Sequence, residues 1–422
     1  MSTTEDDSPE AIETEIAAWI EQNWNPDATV AQWWERLADA GLAHPMLSES
    51  AGGRGYSRPA SQAVSRALAA AKVLGPPTGL GAMLAAPTIA SHGTPEQIDR
   101  FVRPILTGQQ AWCQLFSEPG AGSDLAGLNT KADRDGDEFV VNGQKVWTSG
   151  GQIADMGMLI ARTDPDAPKH KGVSYFAIDM NQPGIEVRPL REMTGRAMFN
   201  EVFLTDAVVG ADAAIGGLND GWRVANTTLT WERASLGVGS VSLAQCVPGQ
   251  IAGNLGRKCG DVVASAATGV RGAGGVGIGK GLYDHLVGIA RSNGSLADPV
   301  LRQRIVGLFT LLEINRLNAL RAKDPRQRTG GEGNIGKLQM SEQFRQFREV
   351  GLSVIGADGM LADKSSATGG LFQGIALFSP GPAIYGGTDQ VQRNIIGERV
   401  LGLPREPGPG RDTPFRDLPK NG

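Results

Sequence analysis

The sequence predicts a chain that is mainly α with a β domain in its middle, and three observations carry that reading. Amphipathic and alanine-rich segments fill the first hundred residues, short β-prone runs divided by turn residues begin at about Trp112, and helical periodicity returns near Gly216 and persists to about Leu401. At roughly 150 residues per domain, 422 residues predict two or three domains. The expected divisions are an N-terminal helical domain over 1–112, a β domain over 113–212, a helical domain over 213–402 and a tail over 403–422.

The first helix is read from Ser8 as N-cap and Pro9 at the first helical position, followed by Ile12, Ile16, Trp19 and Ile20 at i, i+4, i+7 and i+8. Ala60–Val73 and Met83–Ala90 are alanine-rich and helical, and Thr94-Pro95-Glu96 opens a helix running towards Leu106. Phe139–Val141, Val146–Thr148, Met158–Ile160, Val173–Ile178 and Val202–Leu204 read as strands without helix-length spacers, which predicts an antiparallel sheet or barrel. Asn142-Gly143 between two of them predicts a two-residue hairpin turn. The later helices are interrupted by a glycine-rich patch over 269–281. It nearly spells a P-loop, but Gly281 stands where Ser or Thr must reach magnesium, and neither that motif nor the GxGxxG over 272–277 follows a strand. The patch reads as an interhelical loop.

Composition narrows the function. Forty Lys plus Arg against forty-five Asp plus Glu give a net charge of −5 with no basic stripe, which argues against nucleic acid as a partner. Apolar stretches break well short of the roughly 18 residues a membrane span needs, and an acidic N-terminus is not a signal peptide, so a soluble, cytoplasmic protein is expected. Cys113, Cys246 and Cys259 form no CxxC, and the four histidines show no paired-ligand spacing, so neither a disulfide framework nor a metal site is expected.

Phe116-Ser117-Glu118-Pro119-Gly120-Ala121-Gly122-Ser123-Asp124 is the most informative run. Its glycines let the backbone approach a ligand and its N–H groups can converge on an anion such as a pyrophosphate; a plain turn between strands is the alternative. Trp147, followed by Thr148 and Ser149, suits the flank of a planar heterocycle, and equally suits a core position. Glu232 shares a helical stripe with Leu229 and Leu236, which points it into the helical domain, where a desolvated carboxylate is a stronger base; an ordinary helix glutamate is the bland reading.

Ser117–Asp124, then Asn142–Ser149, then Tyr385-Gly386-Gly387-Thr388-Asp389-Gln390-Val391-Gln392-Arg393 together resemble the acyl-CoA dehydrogenase flavoproteins. The resemblance covers nearly the whole chain. It implies a helical N-terminal domain, a middle β domain and a C-terminal four-helix bundle. It implies FAD, with Phe116 and Ser117 bordering the flavin ring, Gly122 and Ser123 on the pyrophosphate, Trp147 and Ser149 on the isoalloxazine, and Thr388 and Gln390 touching the cofactor from the bundle. The segment around Gly356 and Ala357 resembles the part that binds the adenosine end of a neighbouring subunit's FAD, although Ser353 stands where glutamine is usual. From the Arg-x-x-Phe-Gly run that commonly joins it, only Arg291 survives.

The reaction implied is α,β-dehydrogenation of an acyl-CoA thioester, in which a carboxylate takes the α-proton while the β-hydrogen leaves for the flavin. In many relatives that base follows the Tyr of the C-terminal motif, where this chain has Gly386. Thr230-Trp231-Glu232-Arg233 resembles the helix that carries the base in long-chain and isovaleryl-type members, which makes Glu232 the expected base. Arg233, Ser123 and Gly386 are then expected at the substrate. The eroded donated half resembles the actinobacterial enzymes of sterol side-chain degradation, several of which combine two different subunits. A homotetramer or a heterotetramer is therefore expected, with an electron-transfer flavoprotein as acceptor. An acyl-CoA oxidase on the same scaffold, a non-catalytic partner subunit and a carrier-protein thioester in place of CoA remain open readings.

Overall fold

The computed structural model describes residues 8–235, 243–268, 278–362, 366, 368–405, 407–408, 410 and 412–419. The chain begins with helices α1 (Pro9–Asn23), α2 (Val30–Asp39), α3 (Arg58–Ala70), α4 (Ala86–His92) and α5 (Pro95–Leu106). The predicted start signals work as such. Ser8 accepts from the Ala11 N–H, and Thr94 forms a capping box with Gln97; Thr29, not singled out from sequence, does the same with Gln32. The α2 helix carries Trp33 and Trp34 wholly into the core, where each indole N–H finds a carbonyl, of Leu74 at 2.7 Å and Gly75 at 2.9 Å.

The middle of the chain is one sheet of β1 (Trp112–Leu115), β2 (Lys131–Asp135), β3 (Glu138–Ser149), β4 (Met156–Arg162), β5 (Val173–Asp179), β6 (Ile185–Leu190) and β7 (Phe199–Gly210). The order is β1-β4-β2-β3-β7-β6, with β5 also on β4. Two expectations are corrected here. The sheet is antiparallel along most of its length, but β1 runs parallel to β4. Asn142-Gly143 is not a hairpin turn: β3 runs straight through it for twelve residues because β7 pairs along its whole length, and the real turn is at Gly136, with φ of 60°. Gly143 marks a register shift where Thr130 packs so close that a Cβ would meet its Oγ1 at 2.4 Å.

Helix α6 (Gly221–Ser235) then crosses the sheet against β5 and α4. Residues 243–258, expected to continue the helical domain, instead form an irregular stretch bonded to the N-terminal helices: Val30 and Ala31 donate to Arg257 and Leu255, and Gly75 donates to Ala244. It leads into α7 (Cys259–Thr268), whose Cys259 and Val262 join the first core. The glycine-rich reading at 269–277 lies outside the described residues. Beyond it come α8 (Lys280–Ser292), α9 (Pro299–Arg321), α10 (Glu332–Ile355), α11 (Leu371–Phe378) and α12 (Asp389–Ile395). These build a second core around Leu286, Leu308, Phe347, Val350 and Phe372. Among the described residues no helix is long and apolar enough to cross a membrane, and no cluster of His, Cys, Asp or Glu is placed to hold a metal.

Candidate active site

Strand β1 delivers the chain to Phe116, and the following turn closes on itself through paired backbone bonds between Glu118 and Ala121 at 3.0 and 3.1 Å. The Glu118 side chain points inward. It accepts from the N–H groups of Asn129 at 2.7 Å and Thr130 at 2.9 Å, and from Lys145 Nζ at 2.9 Å. Lys145 Nζ also donates to the Phe116 carbonyl at 3.0 Å, and the Val146 N–H donates to Ser117 O at 2.9 Å. The turn is thereby stitched to β3 through a fully buried ion pair, Lys145 being 0% and Glu118 7% exposed. Burial pushes the Glu118 carboxyl up, but Lys145 and the two amides outweigh it and hold the group below its ordinary value. Burial pulls Lys145 down, with Glu118 opposing.

Two residues beyond Lys145, the strand breaks its alternation. Lys145 pairs with Val202 and Thr148 with Asn200, so Val146 and Trp147 together face one residue of β7. Trp147 takes φ of 62°, a left-handed conformation that costs a bulky residue energy, and its ring emerges 58% exposed against the edge of Phe199. Asn200 closes the bulge by donating to the Thr148 carbonyl at 2.9 Å and to Gln152. Ser149 follows half-buried. No motif in the sequence signals this bulge, because it depends on the register of β7.

These residues fit FAD. Gly120, Gly122 and Ser123 are exposed, and among the described residues none of their N–H groups meets an acceptor, so the turn offers free donors to an anion. A Cβ at Gly120 or Gly122 would meet no protein atom, so that backbone faces open space, and the bond from Val146 to Ser117 ties the turn to the strand next to the protruding Trp147. Phe116 differs from expectation: its ring is turned into the core, edge-on to Tyr175, which leaves only its main chain for the site.

The buried stripe of α6 is Gly221, Val224, Ala225 and Thr228. Thr228 Oγ1 lies 3.0 Å from Thr88 Oγ1 and donates to the Tyr175 hydroxyl at 3.4 Å, the same Tyr175 that packs on Phe116. Glu232 is one turn beyond Thr228, seven residues from Ala225 and half-buried. It thus continues the stripe whose Thr228 meets Tyr175. Of the neighbours used to place it from sequence, Leu229 is half-buried against the core, whereas Leu236 and the side chain of Arg233 lie outside the described residues.

In the C-terminal motif, Gly386 and Gly387 both have positive φ, 62° and 82°, and Thr388 caps α12 by accepting from Val391. Thr388 is half-buried and Gln390 exposed, while Asp389 and Gln392 are buried beneath them. Gln392 donates to Gly386 O at 2.7 Å and accepts from Asn334. Asp389 accepts from Lys337 at 3.1 Å, Ser341 at 2.8 Å and Arg345 at 3.1 Å. Sequence reasoning missed this anchor, although Asn334, Lys337, Ser341 and Arg345 at i, i+3, i+7 and i+11 form a polar stripe along α10 that signals it.

Arg291, Gly356 and Ala357 are exposed at one end of the helical layer, where Asn293 and Ser295 both bond the Val354 carbonyl. Among the described residues they make no hydrogen bond, ion pair or ring contact with the Ser117–Ser149 site. Ser353, at the place of the usual glutamine, is held by Arg304 at 2.9 Å.

Comparison with known proteins finds the acyl-CoA dehydrogenase N-terminal domain over residues 6–109, its middle domain over 113–207 and its C-terminal domain over 269–401. The chain is 37% identical to acyl-CoA dehydrogenase IpdE1 of Mycobacterium tuberculosis, covering 89% of this chain and 88% of that one. It is 40% identical to acyl-CoA dehydrogenase FadE34 of the same organism, over 87% of this chain and 46% of the longer relative. Among solved structures, the Tcur3481-Tcur3483 steroid ACAD matches 96% of this chain and 100% of that one with a TM-score of 0.68 at 24% identity. The ChsE4-ChsE5 complex from Mycobacterium tuberculosis matches 96% and 100% with a TM-score of 0.66 at 23% identity.

Proposed function

Because the chain belongs to the acyl-CoA dehydrogenase family, FAD-dependent oxidoreductases of lipid oxidation, we propose that it dehydrogenates the α,β bond of an acyl-CoA thioester with Glu232 as the α-proton base. The observation that carries this reading is the outward, left-handed Trp147 locked beside an open anion-binding turn. FAD, when bound, supplies the acceptor for the β-hydrogen. Gly122 and Ser123 hold its pyrophosphate, the Phe116 main chain, Ser117, Trp147 and Ser149 its ring, and Thr388 and Gln390 a further edge. Glu232 approaches on the stripe of α6 that already reaches Phe116 through Thr228 and Tyr175, and takes the α-proton there. With Gly386 in the C-terminal motif, that position offers no competing carboxylate. Ser123, Arg233 and Gly386 face the substrate.

The acyl group is proposed to be a sterol side chain or a fatty chain, the former supported by the steroid ACAD named among the structural likenesses. Electrons pass to an electron-transfer flavoprotein. The exposed patch of Arg291, Gly356 and Ala357, with the exposed apolar residues Val306, Phe309, Leu317 and Leu320 on α9, supports a tetramer, of one chain or two, in which that patch completes a neighbour's FAD site. The deciding experiment is Glu232→Gln in stopped flow against a panel of acyl-CoAs. The variant is expected to stay yellow and to bleach roughly a hundredfold or more slowly than the native enzyme. Bleaching at the native rate would move the base elsewhere.

A further inference from the structure

After a Pro- and Gly-rich run over 403–410, the chain closes back on the β domain. The Phe415 N–H donates to Ala167 O at 3.0 Å, the Arg416 N–H donates to Pro165 O at 3.1 Å, and the Arg416 guanidinium pairs with Asp166. All three acceptors lie in the β4–β5 loop, residues 163–172. The Phe415 ring lies over Arg162, with the guanidinium carbon 3.7 Å from its centroid. Arg162 is 4% exposed, and its guanidinium otherwise bonds three carbonyls, two just downstream of the Ser117–Asp124 turn and one in the same loop. It donates to Ala126 O at 2.6 Å, to Leu128 O at 3.4 Å and to Lys169 O at 2.8 Å. Lys169 in turn grips both carboxylate oxygens of Asp124, the last residue of the anion-binding run, at 2.8 Å each.

The tail therefore packs on Arg162 and on the loop that carries Lys169, and these two residues hold the chain at the downstream end of the turn at three points: Asp124, Ala126 and Leu128. Inside the protein the guanidinium has little water to solvate it, and burial pulls it down to about 10 against the pull of Glu118, Asp164 and Asp124. An aromatic face is the remaining partner that favours the charge there. Its Nε meets no acceptor, so the ring contact is not redundant with a hydrogen bond on that atom.

We propose that the C-terminal segment is a strap belonging to the cofactor site, in which Phe415 and Arg162 are positioning residues that hold the Ser117–Asp124 turn in its anion-binding form. The proposal rests on the FAD reading for its ligand, but not for its geometry. Two measurements on the full-length protein separate these. Removal of residues 406–422, or Phe415→Ala, is expected to weaken FAD binding roughly tenfold by flavin fluorescence titration, while Phe415→Tyr, which keeps an aromatic face, stays close to native. Hydrogen exchange on the apoprotein reads the turn directly. The Gly127 and Leu128 N–H groups, bonded to Asp124 and Leu125, are expected to exchange roughly tenfold faster without the strap. FAD affinities within about twofold of native, together with unchanged exchange, would overturn the proposal. A native protein that takes up no FAD refutes the cofactor reading, and the exchange arm then decides the strap alone.

Discussion

Lys145→Met is the perturbation on which the site's architecture depends most directly. In the native chain the ammonium lies 2.9 Å from Glu118 and 3.0 Å from the Phe116 carbonyl, with no water-exposed surface on Lys145. Methionine fills a similar volume but leaves the Glu118 carboxylate buried with only the Asn129 and Thr130 amides. Breaking a buried pair by removing one partner costs about 3–5 kcal/mol, which at about 2–4 °C per kcal/mol for a unit of this size lowers Tm by roughly 6–20 °C. The double change Lys145→Met with Glu118→Gln removes the stranded charge and is expected to be more stable than Lys145→Met alone. FAD affinity falls in both variants, because Phe116 loses its Lys145 bond to β3 in each. Calorimetry of the two variants, with flavin titration beside it, gives the assay. If Lys145→Met unfolds within about 1 kcal/mol of native, the pair does not hold the turn and this account of the site is wrong. The pH dependence has a definite sign. Glu118 sits below its ordinary value of 4.5 in the folded chain, so its contribution is complete above that pH, declines as pH falls through it, and is gone below the depressed folded value.

Trp147→Gly is expected to leave the apoprotein about as stable as native, since glycine accepts φ of 62° without strain, while FAD binding falls by roughly tenfold or more. Trp147→Val, a β-branched residue in the same left-handed conformation, keeps the strain that glycine relieves and should be about 1–3 kcal/mol less stable than Trp147→Gly; a valine variant as stable as the glycine one would deny the strain. Asp389→Asn is expected to cost about 3–5 kcal/mol by stranding Lys337, with denaturation as the measurement; a loss below about 1 kcal/mol would show that Ser341 and Arg345 hold the C-terminal motif without the charge. Asp389 too sits below its ordinary 3.8, so its contribution is present above that pH and is lost as pH falls past it.

The parts of the fold legible in the sequence are those fixed by neighbours a few residues apart. Ser8 with Pro9, and Thr94 with Pro95 and Glu96, declare their helices because the cap and the groups it satisfies lie within one turn. The α, β, α order follows from periodicity in the same way. Asn142-Gly143 failed as a turn because twelve residues of pairing with β7, and the bond from Asn142 to Asp206, outweigh a dipeptide preference. Residues 243–258 and the strap at Phe415 escaped notice because their partners, such as Leu255 with Ala31 and Phe415 with Arg162, lie hundreds of positions away.

The site residues divide along the same line. Ser117–Asp124 was legible because glycine and serine spacing advertises a turn open to an anion. Glu118, in the middle of that run, and Lys145, on a strand nearby, were assigned no role from sequence. Only the register of β3 against the turn brings the two together across 27 positions and buries both. Trp147 was legible as an aromatic beside hydroxyls but not as a left-handed bulge, since one extra residue opposite Glu201 is a property of two strands and not of one. A charge pair in the core and a strained tryptophan at the surface each break a local rule, and they do so two residues apart on one strand. A sequence under no functional demand has little reason to keep the strained tryptophan, because a single substitution to glycine relieves that cost, whereas the buried pair can only be given up by changing both partners. Trp147 therefore stands exposed and strained on the strand that the buried pair ties to an open, glycine-lined turn, and this arrangement is what the proposed cofactor site rests on.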